Sequence, residues 1–151
     1  MIRHLAMSVL LSGGLALSAA AQSRTPAPAQ YDPAAEVTYG GIITAVVAVT
    51  SPDGTVGVHL NLKTGTGVIV KVHLAPAMFI GMNNFAFFAD DQVLVTGPLV
   101  LHAGETAVWA RQITKAGKTL TLRSVDGTPR WPYATAEDPD GCGISHDPVR
   151  Y

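Results

Sequence analysis

Residues 36–123 read as a succession of strands, because apolar and polar positions alternate along most of that stretch. The clearest runs are GVHLNLK, residues 57–63, and VIVKVHL, residues 68–74. Side chains two apart share a face of a strand, so Val58, Leu60 and Leu62 point one way and His59, Asn61 and Lys63 the other. In the second run Val68, Val70, Val72 and Leu74 oppose Ile69, Lys71 and His73. TGTG between the runs makes them a hairpin. Val58, Leu60, Val70 and Val72 are its expected buried side, with His59 and Lys71 exposed. If Lys63 faces Ile69, His59 falls opposite His73, about 5 Å apart at Cβ, and a register two residues different makes them diagonal neighbours.

Before this hairpin, VTYGGIITAVVAV predicts a long strand with Val37, Tyr39, Ile43, Val47 and Val49 on one face. Gly40-Gly41 in its middle permits a bend or bulge, and a strand bent there can serve two sheets. SPDG, residues 51–54, has turn composition. After the hairpin, PAMFIGMN predicts a short helix with Pro76 in the first turn and Phe79 and Met82 on one face. Met78, Phe85, Phe87 and Phe88 are expected as core fillers in preference to a methionine metal site. QVLVTGPLVLH then predicts a strand interrupted at Gly97-Pro98, TAVWARQIT another, and TLTLR a short closing one. His102 falls in the turn between the first two of these, and Trp109 and Trp131 are expected as packing anchors.

Three strands, a short helix and further strands predict an all-β fold, an OB-fold-like Greek-key barrel, with a β-sandwich as the competing architecture. In such a barrel the outer face of the second and third strands is the usual binding surface. Here that face carries His59, Asn61, Lys63, Lys71 and His73, so His59, Asn61, Lys71 and His73 are the ligand-binding candidates. No aromatic residue is expected on it, which argues against stacking of single-stranded nucleic acid. Two solvated polar residues on a half-buried sheet remain the plain alternative for the histidines.

Composition and the chain ends add a compartment. MIRH followed by the uncharged LAMSVLLSGGLALSAA and Ala19-Ala20-Ala21 predicts a signal peptide over residues 1–21, with a mature chain starting near Gln22 in the periplasm or outside the cell. No cysteine follows for lipidation. Residues 22–35, rich in Pro and Ala, predict an extended linker ahead of a domain at 36–131, and 132–151 a tail. Loss of Arg3 with the signal leaves 9 Lys+Arg (10 − 1) against 11 Asp+Glu, a net charge of −2. That balance disfavours nucleic acid as a partner, since such binding begins with phosphate neutralisation.

Cys142 is the only cysteine of the 151 residues. It lies in GCGISH, which matches the haem-attachment pattern C-x-x-C-H except that Ser145 replaces the second cysteine. Covalent haem is therefore disfavoured. Cys142 and His146 suit copper or zinc, as do His59 and His73 as a pair, but two ligands do not complete a tetrahedral site. In an oxidising compartment the lone thiol allows a disulfide dimer. No nucleophile–base pair, phosphate loop or paired carboxylates point to an enzyme.

The stretches GVHLNLKT, VKVHLAPAMFI, DDQVLVTGPLVL, AVWARQITKAGKTLTLR and DGTPRW, in this order, resemble the domain of the MamS and MamX magnetosome proteins over about Val37 to Trp131. The resemblance implies a periplasmic, non-enzymatic OB-like domain, associated in some members with iron or redox systems. MamX-type proteins carry C-x-x-C-H motifs, and this chain has none intact. The expected role is a binding or assembly module for a protein partner or small ligand. The alternative is a metal-binding or electron-transfer accessory using the histidine pair or the Cys/His tail.

Overall fold

A computed structural model describes residues 30–51, 54–102 and 104–132. The expected signal peptide, residues 22–29 of the expected linker, and the tail with Cys142 and His146 lie outside the described residues. Among the described residues seven strands form one sheet: β1 (Glu36–Thr50), β2 (Val56–Thr64), β3 (Ile69–Pro76), β4 (Gln92–His102), β5 (Glu105–Trp109), β6 (Gln112–Lys115) and β7 (Lys118–Thr121). A six-residue helix, α1 (Ala77–Met82), separates β3 from β4, with Pro76 as its N-cap.

The sheet closes on itself. β1 pairs antiparallel with β2 through Gly41–Thr50 and with β4 through Glu36–Ile42. β3 pairs antiparallel with β2 and parallel with β5, and β5 pairs antiparallel with β4. The order β1-β2-β3-β5-β4 thus returns to β1, while β6 and β7 extend the sheet from β4. One sheet replaces the two stacked layers of a sandwich.

Glycine makes the closure possible at two places. A Cβ on Gly41 would lie 2.4 Å from the Lys63 carbonyl oxygen, so only glycine fits where β1 leaves β4 for β2. A Cβ on Gly97 would lie 2.1 Å from the Trp109 carbonyl oxygen. At that second place the expected interruption moves. β4 runs unbroken through Gly97-Pro98, and the opposite chain breaks instead, at Ala110 and Arg111 between β5 and β6. Backbone bonds from Ala110 N to His73 O and from Arg111 N to Thr96 O hand the chain from the β3 side to the β4 side. A single strand over TAVWARQIT cannot make both bonds.

Ile43, Leu60, Leu62, Val72, Leu74, Val95, Val108, Ile113 and Leu122 are inaccessible and form the main core with Ile80, Phe87 and Trp131. Leu60 and Val72 are buried as expected, and Val58 and Val70 are half-buried against them. Four expectations need correction. A bulge between Ile43 and Ala45 reverses the facing of the rest of β1, so Val47 pairs with His59 on the outside and is 40% exposed. Val49 is likewise shifted to the outer side, and Val37, at the strand's other end, is exposed. Val68 precedes β3 and is exposed. Along α1, Ile80 is the buried residue, and Met82 and Met78 are exposed, because one and a half turns present only a narrow face. Phe88 is exposed too, with Lys115 Nζ 5.3 Å from its ring centroid.

Ion pairs fasten the ends of the ring. Arg111 donates from Nε and Nη2 to the two Glu36 oxygens at 2.6 and 2.8 Å, and Tyr31 OH also donates to Glu36. This joins the start of β1 to the β5–β6 corner. Lys115 Nζ binds Asp91 Oδ2 at 2.5 Å and the Ala86 carbonyl at 2.8 Å, securing the loop after α1.

Candidate functional site

The β2–β3 register has Lys63 opposite Ile69 and His59 directly opposite His73. Their rings stack, with centroids 3.9 Å apart and planes inclined by 15°. Strand alternation puts both outside the ring, since their neighbours Leu60, Val72 and Leu74 fill the main core. Asn61 and Lys71 are partners in the next position along the same face. Asn61 is half-buried and its carbonyl accepts from Thr44 Oγ1 at 3.1 Å. The four ligand-binding candidates are therefore contiguous.

The face is less open than its polar residues suggest. His73 is only 5% exposed and His59 is half-buried, whereas Lys71 is exposed as expected. Parallel pairing of β3 with β5 sets Trp109 in register with His73. Val108 and Ala110, which flank Trp109, belong to the main core, so the indole shares the outer face with the histidines. The expectation that this face lacks an aromatic is corrected. Alternation within AVWA gives no sign of which strand β5 joins, and the parallel partner decides it. Trp109 is 1% exposed, so it packs as an anchor and presents no free stacking surface.

Glu105, also on β5, pairs with Lys71 across the strands. That hydrogen bond holds the Glu105 carboxyl below its ordinary range; desolvation opposes the shift, and the charges of Lys71, His73 and His59 add to it. The site is thus an imidazole stack bordered by an indole on one side and a surface ion pair on the other. Neither Glu105 nor Trp109 is marked in the sequence as a partner of the histidines, because both arrive through the β3–β5 crossing.

Stacking also bears on metal chemistry. Imidazole lone pairs lie in the ring plane, so two rings held face to face direct them along nearly parallel planes. A metal shared by His59 and His73, about 2.0–2.1 Å from each nitrogen, requires one ring to turn. Among the described residues no group of three His, Cys, Asp or Glu side chains is placed to hold a metal. The other two metal candidates, Cys142 and His146, are outside the described residues.

Arg123 is a second feature the sequence did not mark. It is wholly buried, donates from Nη1 to Ala110 O at 2.5 Å and Leu74 O at 3.2 Å, and lies 5.0 Å from the Trp131 ring centroid. It locks the backbone just beyond His73 and Trp109. Away from this face, an open groove of about 990 Å³ runs past Gly41, Lys63, Thr64, Asp91 and Lys115. Its Lys115 and Asp91 neutralise each other, and it includes none of the four contiguous candidates.

A closed ring of five strands with a built outer face defines an all-β barrel protein whose distinctive side chains converge on its surface. The chain belongs to the MamS/MamX magnetosome protein family, whose model matches residues 35–120. That match spans the whole ring, β6 and all but the last residue of β7, as the resemblance of the strand segments implied. No curated protein and no solved structure matches the chain.

Proposed function

We propose that this chain is a non-catalytic binding or assembly module of the magnetosome apparatus, exported to the periplasm and built on an OB-fold. The ring order with its parallel β3–β5 contact, and the helix between β3 and β4, support the OB-fold reading. Family membership supports the magnetosome setting. One observation carries the binding role: His59, Asn61, Lys71 and His73 meet Glu105 and Trp109 on the outer face, where a merely solvated sheet would leave its polar side chains apart. The face takes a protein partner or a small ligand through exposed Lys71 and the half-buried edge of His59 and Asn61.

The test is gene replacement in the native host, comparing wild type with His59→Ala/His73→Ala and with Lys71→Glu, which alters only an exposed group. The expected result is altered magnetosome crystals by electron microscopy at normal protein abundance. Wild-type crystals from both variants, in a host where deletion has a phenotype, would remove the face from the function. Titration of the purified chain with Cu(II), Zn(II) and phosphate separates ligand classes. Competition between protons and metal for the imidazoles makes metal binding weaken as pH is lowered, whereas anion binding strengthens. Intact-mass measurement of a periplasmic extract tests export, with a mature chain expected to begin near Gln22.

A further inference from the structure

We propose that a cleft between the outer edge of β7 and α1 binds an extended, acidic peptide segment of a partner protein, which joins the sheet as a further strand. The cleft shares no residue with the His59–His73 face, so the two sites stand or fall separately. β7 pairs with β6 on one side and, among the described residues, with no strand on the other. The turn fixes which backbone groups face outward. Ala116 and Gly117, at φ 49° and 76°, form a two-residue hairpin loop, and the residues flanking such a loop, Lys115 and Lys118, are a hydrogen-bonded pair. Bonded and non-bonded pairs alternate along an antiparallel ladder, so Ile113–Leu120 is bonded while Thr114–Thr119 and Gln112–Thr121 are not. The bond from Leu122 N to Arg111 O continues this alternation. Side chains agree with it: the Thr114 and Thr119 hydroxyls are 2.8 Å apart, as the closer spacing of a non-bonded pair allows. The N–H and C=O groups of Thr119 and Thr121 therefore point away from β6, along an open sheet edge.

That edge lines a cleft of about 390 Å³, whose other walls include Phe79 of α1, Phe85 and Arg130. Leu120, between the two threonines, is buried in the main core, and Phe79 and Phe85 pack half-buried against that core. An incoming strand bonded to Thr119 and Thr121 sets its residue opposite Leu120 on the same face as Leu120, on the side of the two phenylalanines. That position takes an apolar side chain. Charge selects its neighbours. Lys118 precedes the two threonines, and Arg130 follows them, held beside Leu122 by the bond from its N–H to the Leu122 carbonyl. Both cations are exposed, and neither has an ion pair among the described residues. Carboxylates at the two ends of the incoming strand meet these cations. A second copy of this chain is the poorer occupant, because pairing β7 with β7 brings Lys118 and Arg130 of both copies to one joint. A lysine on a short edge strand discourages such self-pairing.

The probe is the acetylated and amidated pentapeptide Glu-Thr-Val-Thr-Glu, titrated to millimolar concentration into the ¹⁵N-labelled full chain. The expected result is saturable binding that shifts the Thr119 and Thr121 amides and slows their hydrogen exchange by about tenfold, leaving His59 and His73 unshifted. Lys118→Glu/Arg130→Glu, which alters only exposed groups, should weaken binding about tenfold, and so should the peptide with lysine in place of both glutamates. Thr121→Pro removes one outward N–H and no bond to β6, so it should fold and lose the binding. Absent binding, equal binding of the acidic and basic peptides, binding kept by folded Thr121→Pro, or shifts centred on the His59–His73 face would overturn the proposal. So would protection of Thr119 and Thr121 that rises with protein concentration in the absence of peptide, which would seat a second copy in the cleft. If Thr121→Pro does not fold, the charge-reversed protein decides, and binding that it keeps unweakened overturns the proposal.

Discussion

At the scale of single residues, neighbours on one hairpin differ sharply in what they hold. Leu60 is inaccessible inside the ring, and its replacement by Ala removes buried methyl groups and leaves a cavity. Leu60→Ala should destabilise the protein by about 2 to 5 kcal/mol in denaturant melts. Lys71 lies one strand over with its side chain 55% exposed and its partner Glu105 46% exposed, so water screens the pair. Lys71→Ala should shift stability by less than about 1 kcal/mol. Equal shifts in the two variants would place the wrong side of the hairpin inside. His73 falls between these extremes. Its polarity and alternation read as a solvated position, and its burial comes from β5, a strand that lies more than thirty residues further along the chain.

At the scale of elements, local pattern and long-range pairing contribute differently to what can be read. The β2–β3 hairpin was legible as a strand pair with two candidate registers, because strict alternation and a short glycine turn leave few other pairings, and the structure takes the one with Lys63 opposite Ile69 and His59 opposite His73. The long bent β1 was legible through Gly40-Gly41, but the bulge near Thr44 was not: it adds one residue without any compositional mark, and every later face assignment reverses. The β5–β6 break was equally hidden, since Ala110 and Arg111 resemble ordinary strand residues and only their bonds to His73 and Thr96 divide them. Gly97 is the element-scale test of this crossing. Gly97→Ala drives a methyl group into the Trp109 carbonyl and should destabilise by about 3 kcal/mol or more, with altered Trp fluorescence in the folded state. The β6–β7 turn offers the opposite sign. Ala116 has φ 49° ahead of Gly117 at φ 76°, a pair of left-handed residues suited to Asn-Gly, so Ala116→Asn should stabilise by about 0.5 to 1 kcal/mol in the same melts.

At the scale of the whole molecule, closure depends on joining the first strand to the corner formed some seventy residues later. Glu36 and Arg111 make that joint with two parallel hydrogen bonds, and both side chains are mostly buried. The Arg111 hydrogen bond, together with that from Tyr31, holds the Glu36 carboxyl below its ordinary value of 4.5, and desolvation only partly opposes it. A carboxyl whose folded pKa is depressed stabilises the fold fully above its unfolded value and loses that contribution as pH falls through the folded one. Glu36→Gln keeps the size and removes the charge. At pH 7 it should be less stable than wild type by about 1 to 3 kcal/mol, the range for hydrogen bonds to charged groups. The gap should narrow as pH falls below about 4.5 and close once the wild-type carboxyl is protonated, because both proteins then present Arg111 with a neutral partner. Urea melts of the two proteins from pH 7 down to pH 3 measure this gap directly. A gap independent of pH would mean that packing of the Glu36 side chain, and not its charge, holds the ring shut.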